Sequence, residues 1–184
     1  MVVVLGIVLL AILFFVIRIY NELVKERILV HEGQSTLGTY LQKRLDLIPN
    51  LVETVKGYAS HEKEILKEIS MWHSKGIAAV GAQEQGEVAI GLSSALRNVF
   101  AISQNYPELK ADSNFKDLYE TLEGIEESIN GARRYFNGTV REYNQSIAVF
   151  PKVLIAGMFG FKPEAFFVED PEAKKVPKVN FTDK

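Results

Sequence analysis

Cysteine is absent from the 184-residue sequence, which excludes disulfides, thiolate metal sites and a cysteine nucleophile. Excess charge is absent too: 21 Lys and Arg stand against 23 Asp and Glu, a formal net charge of −2, so the balance gives no reason to expect nucleic acid as a partner. No stretch carries a convincing strand pattern, and the chain reads as all-α. The three histidines, His31, His61 and His73, form no HExxH and no i,i+4 pair of the kind a helix-borne zinc site uses. GIAAVGAQEQG, Gly76 to Gly86, matches neither GxGxxG nor a Walker A loop. With no nucleophile–base, phosphate or metal pattern, the expectation is a non-enzyme without a cofactor.

What is present begins at the first residue. Met1 to Ile17 reads MVVVLGIVLLAILFFVI without a charge, about 25 Å of helix and, continued through Ile19, close to a bilayer's hydrocarbon thickness. No basic stretch precedes it and no small-x-small cleavage site follows, so a retained anchor over residues 1–19 is expected rather than a cleaved signal. Val2, Leu5, Leu9, Ile12, Phe15 and Ile17 are its expected lipid-facing residues. Arg18, Lys25 and Arg27 follow the span, and the positive-inside rule then puts the rest of the chain in the cytoplasm, with the periplasmic face as the alternative.

Residues 20–167 are expected to form a helical bundle in three long segments, up, down and up. Leu23, Val30, Leu37, Leu41, Leu45, Ile48, Val52, Val55 and Ala59 mark one face of a first helix, continuous with the anchor, in a heptad-like seam kinked at Pro49. Ser60 is a candidate cap for the second segment, whose face runs through Ile65, Ile69, Trp72 and Ala79 and later Val88, Leu92, Leu96, Val99 and Ile102. Gly76, Gly81, Gly86 and Gly91 interrupt it, each costing a helix about 1 kcal/mol relative to alanine. They predict a frayed or broken helix around GAQEQG; the alternative is a close-approach face for a neighbouring subunit.

The third segment, capped by Asp112 or Ser113, carries Phe115, Leu118, Leu122, Ile125, Ile129, Ala132, Phe136, Val140, Tyr143, Ile147 and Phe150 on one face. Successive four-residue steps, Leu37–Leu41–Leu45 and Ala132–Phe136–Val140, are stutters. If segments one and three run parallel, Leu41 and Phe136 fall in one layer. Glu123, Glu126, Glu127, Arg133, Arg134 and Arg141 read as solvated helix faces. Asn21, Asn50, Asn137 and Asn144 lie beside the seams, where a buried amide must find a hydrogen bond.

A short apolar tail follows Pro151, too short and glycine-broken to span a membrane. Val153, Leu154, Ile155, Met158, Phe159 and Phe161 are expected to close one end of the bundle or to meet a subunit or lipid. Residues 168–184 read as extended or disordered. The candidate interaction surface comprises Gly76, Gly81, Gly86, Val153, Leu154, Met158, Phe159, Phe161, Phe166 and Phe167.

YNELV (Tyr20 to Val24), KRLDLIPNLVETVKGYASHE (Lys43 to Glu62), NYPELKADSNF (Asn105 to Phe115), ARRYFNGTVREYN (Ala132 to Asn144), FPKVLIAGMFGFK (Phe150 to Lys162) and PKVNF (Pro177 to Phe181) together resemble the LemA family of bacterial membrane-anchored helical proteins. Where the family usually has an alanine-tryptophan-serine stretch in the first helix, this chain has HEGQSTLGTY, His31 to Tyr40. The resemblance implies an N-terminal membrane helix leading into an antiparallel bundle of three main helices in the bacterial inner membrane, without an established enzymatic activity. The function expected from residues and resemblance together is that of an envelope scaffold or adaptor, acting as a homo-oligomer or through an envelope protein partner. A lipid- or peptide-binding module with an apolar groove is the alternative.

Overall fold

The structure, a computed structural model, describes residues 1–168. Its first element is one helix, α1 (Val2–Tyr58), of 57 residues, with Pro49 inside it. The apolar run passes into the stalk without a break. The expected seam is buried from Leu23 to Ala59, except for half-buried Val52, and is joined by Ile19, Gly33, Arg44 and Leu51.

The chain then turns through Ala59–Glu62 into α2 (Lys63–Ala78). Ser60 is not the cap: Glu62 occupies that position without a side-chain bond to the helix, and its carboxylate instead accepts from the Tyr106 hydroxyl at 2.8 Å. After two extended residues, Ala79 and Val80, helix α3 (Gly81–Ser103) begins. Gly81 adopts φ +83°, a left-handed conformation that glycine takes without the Cβ penalty. The expected break around GAQEQG is thus displaced to Ala79–Val80, and those six residues form the opening turns of α3.

This turn changes the topology. Glu68 accepts from Asn98 at 3.4 Å and Gly91 abuts Trp72, so α2 and α3 form an antiparallel hairpin instead of one descending segment. A short α4 (Pro107–Ala111) leads into α5 (Ser113–Ala148). Asp112 supplies the cap, accepting from the Phe115 amide at 2.9 Å. Because α3 has already climbed back to the distal end, α5 descends toward the anchor. Tyr58 donates to Asp112 at 2.9 Å, Arg44 to Glu126 at 2.7 Å and Ser146 to Glu26 at 2.9 Å, so α1 and α5 are antiparallel. The parallel arrangement expected from the up, down and up order is replaced, and with it the shared layer of the stutters: a Cβ at Gly33 would stand 3.3 Å from the Phe136 Cα, which sets Phe136 at the level of Gly33, about 12 Å along α1 from Leu41.

Two cores result. The distal one gathers Ile48, Leu51, Ile69, Leu92, Leu109 and Phe115 from α1 to α5. The anchor-proximal one has fewer helices, and its remaining place is filled by α6 (Lys152–Phe159) and the extended residues after it, which add Ile155, Phe161 and Phe167 to Leu23, Val30, Phe136, Val140 and Tyr143. Burying one such side chain is worth about 1.5–3 kcal/mol, so this segment is part of the fold. Phe150, expected on the α5 face, lies beyond the helix end and is 79% exposed. Of the expected disordered stretch 168–184, all but Val168 lies outside the described residues.

Candidate functional site: anchor, tail clamp and distal groove

Val2, Leu5, Leu9, Ile12, Phe15 and Ile17 are all exposed in the folded chain. An 18-residue window of this helix has mean hydropathy 3.2, and only 6% of it is covered by protein. A core helix would be covered by its own fold; this one is not. It is the one helix among the described residues long and apolar enough to cross a membrane.

The tail shows how the proximal core is closed. Asn144 donates to the Glu164 carbonyl at 2.9 Å and accepts from the Glu164 amide at 2.9 Å. Asn137, seven residues earlier and on the same side of α5, repeats this at Phe167 with 3.1 and 2.9 Å. Each carboxamide satisfies both polar groups of one residue's backbone, an exchange normally made by a neighbouring strand. Tyr143 donates to the Lys162 carbonyl at 3.0 Å, and burial, ahead of the opposing effect of Arg27, holds its hydroxyl pKa above the ordinary value. The Arg27 guanidinium lies 5.1 Å over the Phe161 ring.

The candidate surface therefore separates. Phe161 and Phe167 are buried, whereas Val153, Leu154, Met158, Phe159 and Phe166 are exposed. A Cβ at Gly86 would stand 2.9 Å from the Val168 nitrogen, and one at Gly76 2.6 Å from a Leu45 methyl. Both glycines permit close approach within the chain. Gly81 has open space around it and serves the turn.

Lys152, the first residue of α6, holds it to α1: its Nζ donates to Glu22 at 2.9 Å, Glu26 at 3.3 Å and Ser146 at 3.2 Å. Partial burial alone would lower the lysine's pKa, but Glu22 and Glu26 outweigh it and the value is raised.

Farther from the anchor, Arg44 is buried with 1% exposure and donates to Glu126 at 2.7 Å, Ser93 at 2.9 Å and the Ala89 carbonyl at 3.3 Å. Desolvation lowers its pKa, opposed by Glu126. Glu126 is thus more than part of a solvated face: it joins α5 to α1 and α3. Arg44 itself was missed in the sequence, although it lies three residues after Leu41 and four before Ile48, a seam position.

Beyond this ion pair α3 and α5 meet again through Phe100, which packs against Tyr119 and Phe115. A groove of about 510 Å³ opens between the two helices, lined by Leu96, Arg97, Phe100, Tyr119, Leu122 and Glu123 among others. A second cavity of about 410 Å³ shares the wall made by Phe100 and Tyr119, whose rings meet edge-on at 4.5 Å. No group of three or more metal-ligating side chains converges among the described residues. His31 lies in α1, His61 in the first turn and His73 in α2.

A helix bundle carried on a long apolar helix, without strands among the described residues, defines an all-α protein with one candidate membrane span. The model of the LemA family matches residues 33–181, most of the chain, and the protein belongs to that family. The match begins beyond the apolar run and takes in the α2–α3 hairpin, α5 and the tail. No curated protein matches the chain.

Proposed function

We propose that this protein is a non-enzymatic scaffold of the bacterial inner membrane: a single-pass anchor holds the bundle on the cytoplasmic side, where it assembles with other copies. The observation that carries the reading is the unbroken α1, Val2–Tyr58. The apolar run and the stalk belong to one helix, and the forty residues beyond Arg18 would carry the distal end about 60 Å along it from the bilayer edge. Parallel anchors confine copies to two dimensions and raise their effective concentration, so modest contacts suffice for assembly. The Phe100–Tyr119 groove is the apolar surface positioned for such contacts. Full-length protein in mild detergent and in nanodiscs of increasing size tests this by mass. Assemblies larger than a monomer are expected, reduced by the pair Phe100→Glu and Tyr119→Glu; a monomer under every condition sinks the self-association.

A second reading, a peptide-binding module, is favoured by the Asn137–Asn144 clamp. It contacts its segment through backbone amides and carbonyls, so its hydrogen bonds tolerate many sequences. Because the chain's own segment fills the clamp, a labelled peptide of residues 161–168 should bind saturably to a variant lacking residues 161–184 and lose binding when Asn137→Ala and Asn144→Ala are added. Absence of saturable binding at millimolar peptide argues against it.

A further inference from the structure

The exposed apolar residues are not spread evenly over the bundle. Phe150 is 79% exposed, Met158 76% and Leu154 58%; Leu154 and Met158, four residues apart in α6, share one side of that helix, and Phe150 stands exposed in the turn just before it. Val149, Val153 and Phe159 widen the patch. The opposite side of α6 is used differently, with Ile155 and Ala156 buried in the proximal core. This short helix therefore has two apolar sides, and only one is covered by its own fold.

Its height along α1 identifies what covers the other. The Phe159 ring lies 4.8 Å from that of Tyr20, centre to centre, and Lys152 reaches Glu22 at 2.9 Å. Arg18 is the first charge after the apolar run, and Tyr20 stands about 3 Å farther along the helix axis. The patch is thus at the level where α1 would leave the hydrocarbon, and its apolar surface is continuous with the anchor through Ile17 and Tyr20. Exposed cations flank this level: Arg18 lies about 3 Å to one side of Tyr20 along α1 and Lys25 about 8 Å to the other, with Lys162 just past α6. Apolar residues beside Lys and Arg are the composition of a segment lying in a membrane interface, where Tyr also settles at headgroup depth.

We propose that the Val149–Phe150 corner and the outer face of α6 form a membrane foot, embedded in the headgroup and upper acyl layer of the same leaflet from which α1 emerges. The proposal rests on the reading of α1 as a spanning helix and goes beyond it. A single spanning helix is free to spin and tilt; a second contact beside it fixes the rotation of the bundle and the direction in which the Phe100–Tyr119 groove faces. Lys152, clamped between Glu22 and Glu26, ties the foot to the anchor, and the Asn-clamped segment after Phe161 ties it to α5.

The native chain has no cysteine, so single cysteines give unambiguous probes. Leu154→Cys and Met158→Cys, with Leu9→Cys in the anchor and Ile77→Cys on α2 as references, are labelled with an environment-sensitive fluorophore in the full-length protein. Each is placed in phosphatidylcholine/phosphatidylglycerol nanodiscs and quenched in turn by iodide in the water and by nitroxide on the lipid headgroup. The foot predicts at least threefold weaker iodide quenching at 154 and 158 than at 77, together with strong headgroup quenching. Iodide quenching equal to that at 77 overturns the proposal, and so does protection from iodide without lipid quenching, which would mean that a protein surface covers the patch. Leu9 separates the two levels. A lipid-protected, iodide-inaccessible label at 9 with free labels at 154 and 158 removes the foot and leaves the anchor; a water-accessible label at 9 removes both.

Discussion

Arg44 shows at the scale of one residue how the hairpin is held to the rest. Its guanidinium has 1% exposure and its partner Glu126 is 37% exposed. Removing one member of a fully buried ion pair costs about 3–5 kcal/mol, because the remaining charge is stranded, whereas replacing both by apolar residues is often neutral. With Glu126 partly solvated, Glu126→Ala is expected to cost about 2–3 kcal/mol and the double variant Arg44→Met, Glu126→Met less than about 1 kcal/mol. Chemical denaturation of the three proteins checks the order; a single variant no worse than the double contradicts it. Asp112 acts by charge as well as by capping. The Phe115 amide and then the Tyr58 hydroxyl hold its carboxyl below the ordinary 3.8. The sign follows from that depression: the contribution is present above the unfolded value and is lost as pH falls through the native one. Asp112→Asn retains a capping oxygen but does not titrate there. Its stability deficit should be constant above about pH 5 and shrink on acidification below about pH 4, as pH-dependent melting will show. The cap was legible as an Asp-Ser pair before an apolar run, whereas Ser60 misled because the preceding turn runs on to Glu62.

At the scale of elements, each glycine has its own neighbour. A Cβ at Gly91 would overlap the Trp72 indole, while one at Gly124 would meet nothing within 4 Å. Gly91→Ala is therefore expected to destabilise the α2–α3 hairpin by about 1–3 kcal/mol as an overpacking change. Trp72 is the sole tryptophan, so its emission should shift to the red. Gly124→Ala, an exposed helix position, should instead gain up to about 1 kcal/mol, with unchanged emission. The sequence marked Gly76, Gly81, Gly86 and Gly91 as a weak stretch of helix; it carried no information about the neighbour each one meets. The tail clamp has the same character. Asn137 and Asn144 stood out beside the seam as amides in need of partners, but the partners are twenty and thirty residues away in sequence. Replacing both by alanine should speed amide exchange at Glu164 and Phe167 by at least tenfold while the amides of mid-α5 keep their protection. Equal exchange in both proteins would mean that the side chains of Phe161 and Phe167 alone hold the segment.

For the whole molecule, the governing feature is the length of α1. Paired spin labels at Asn21→Cys and Lys56→Cys, both exposed positions, span thirty-five residues, about 50 Å at 1.5 Å per residue. A single narrow distance distribution near that value is expected from pulsed electron resonance in nanodiscs. A broad or bimodal distribution would reveal a hinge at Pro49 and would break the transmission of anchor geometry to the distal groove.

The amino-acid sequence by itself determined the apolar run, the faces of α1, α3 and α5, the Asp112 cap and the resemblance to the LemA family. These are local properties: a helix buries whichever positions recur on one side, and that recurrence is visible without a partner. Only the tertiary structure decided direction. A seam reads the same whether its helix rises or falls, so the antiparallel pairing of α1 and α5 depended on where the chain reverses. That reversal came from the two extended residues at Ala79–Val80 and the positive φ of Gly81. Packing likewise decided that Arg44 would be enclosed, because three helices meet over it, and that the tail would be divided between the proximal core and an outward apolar face beside the anchor.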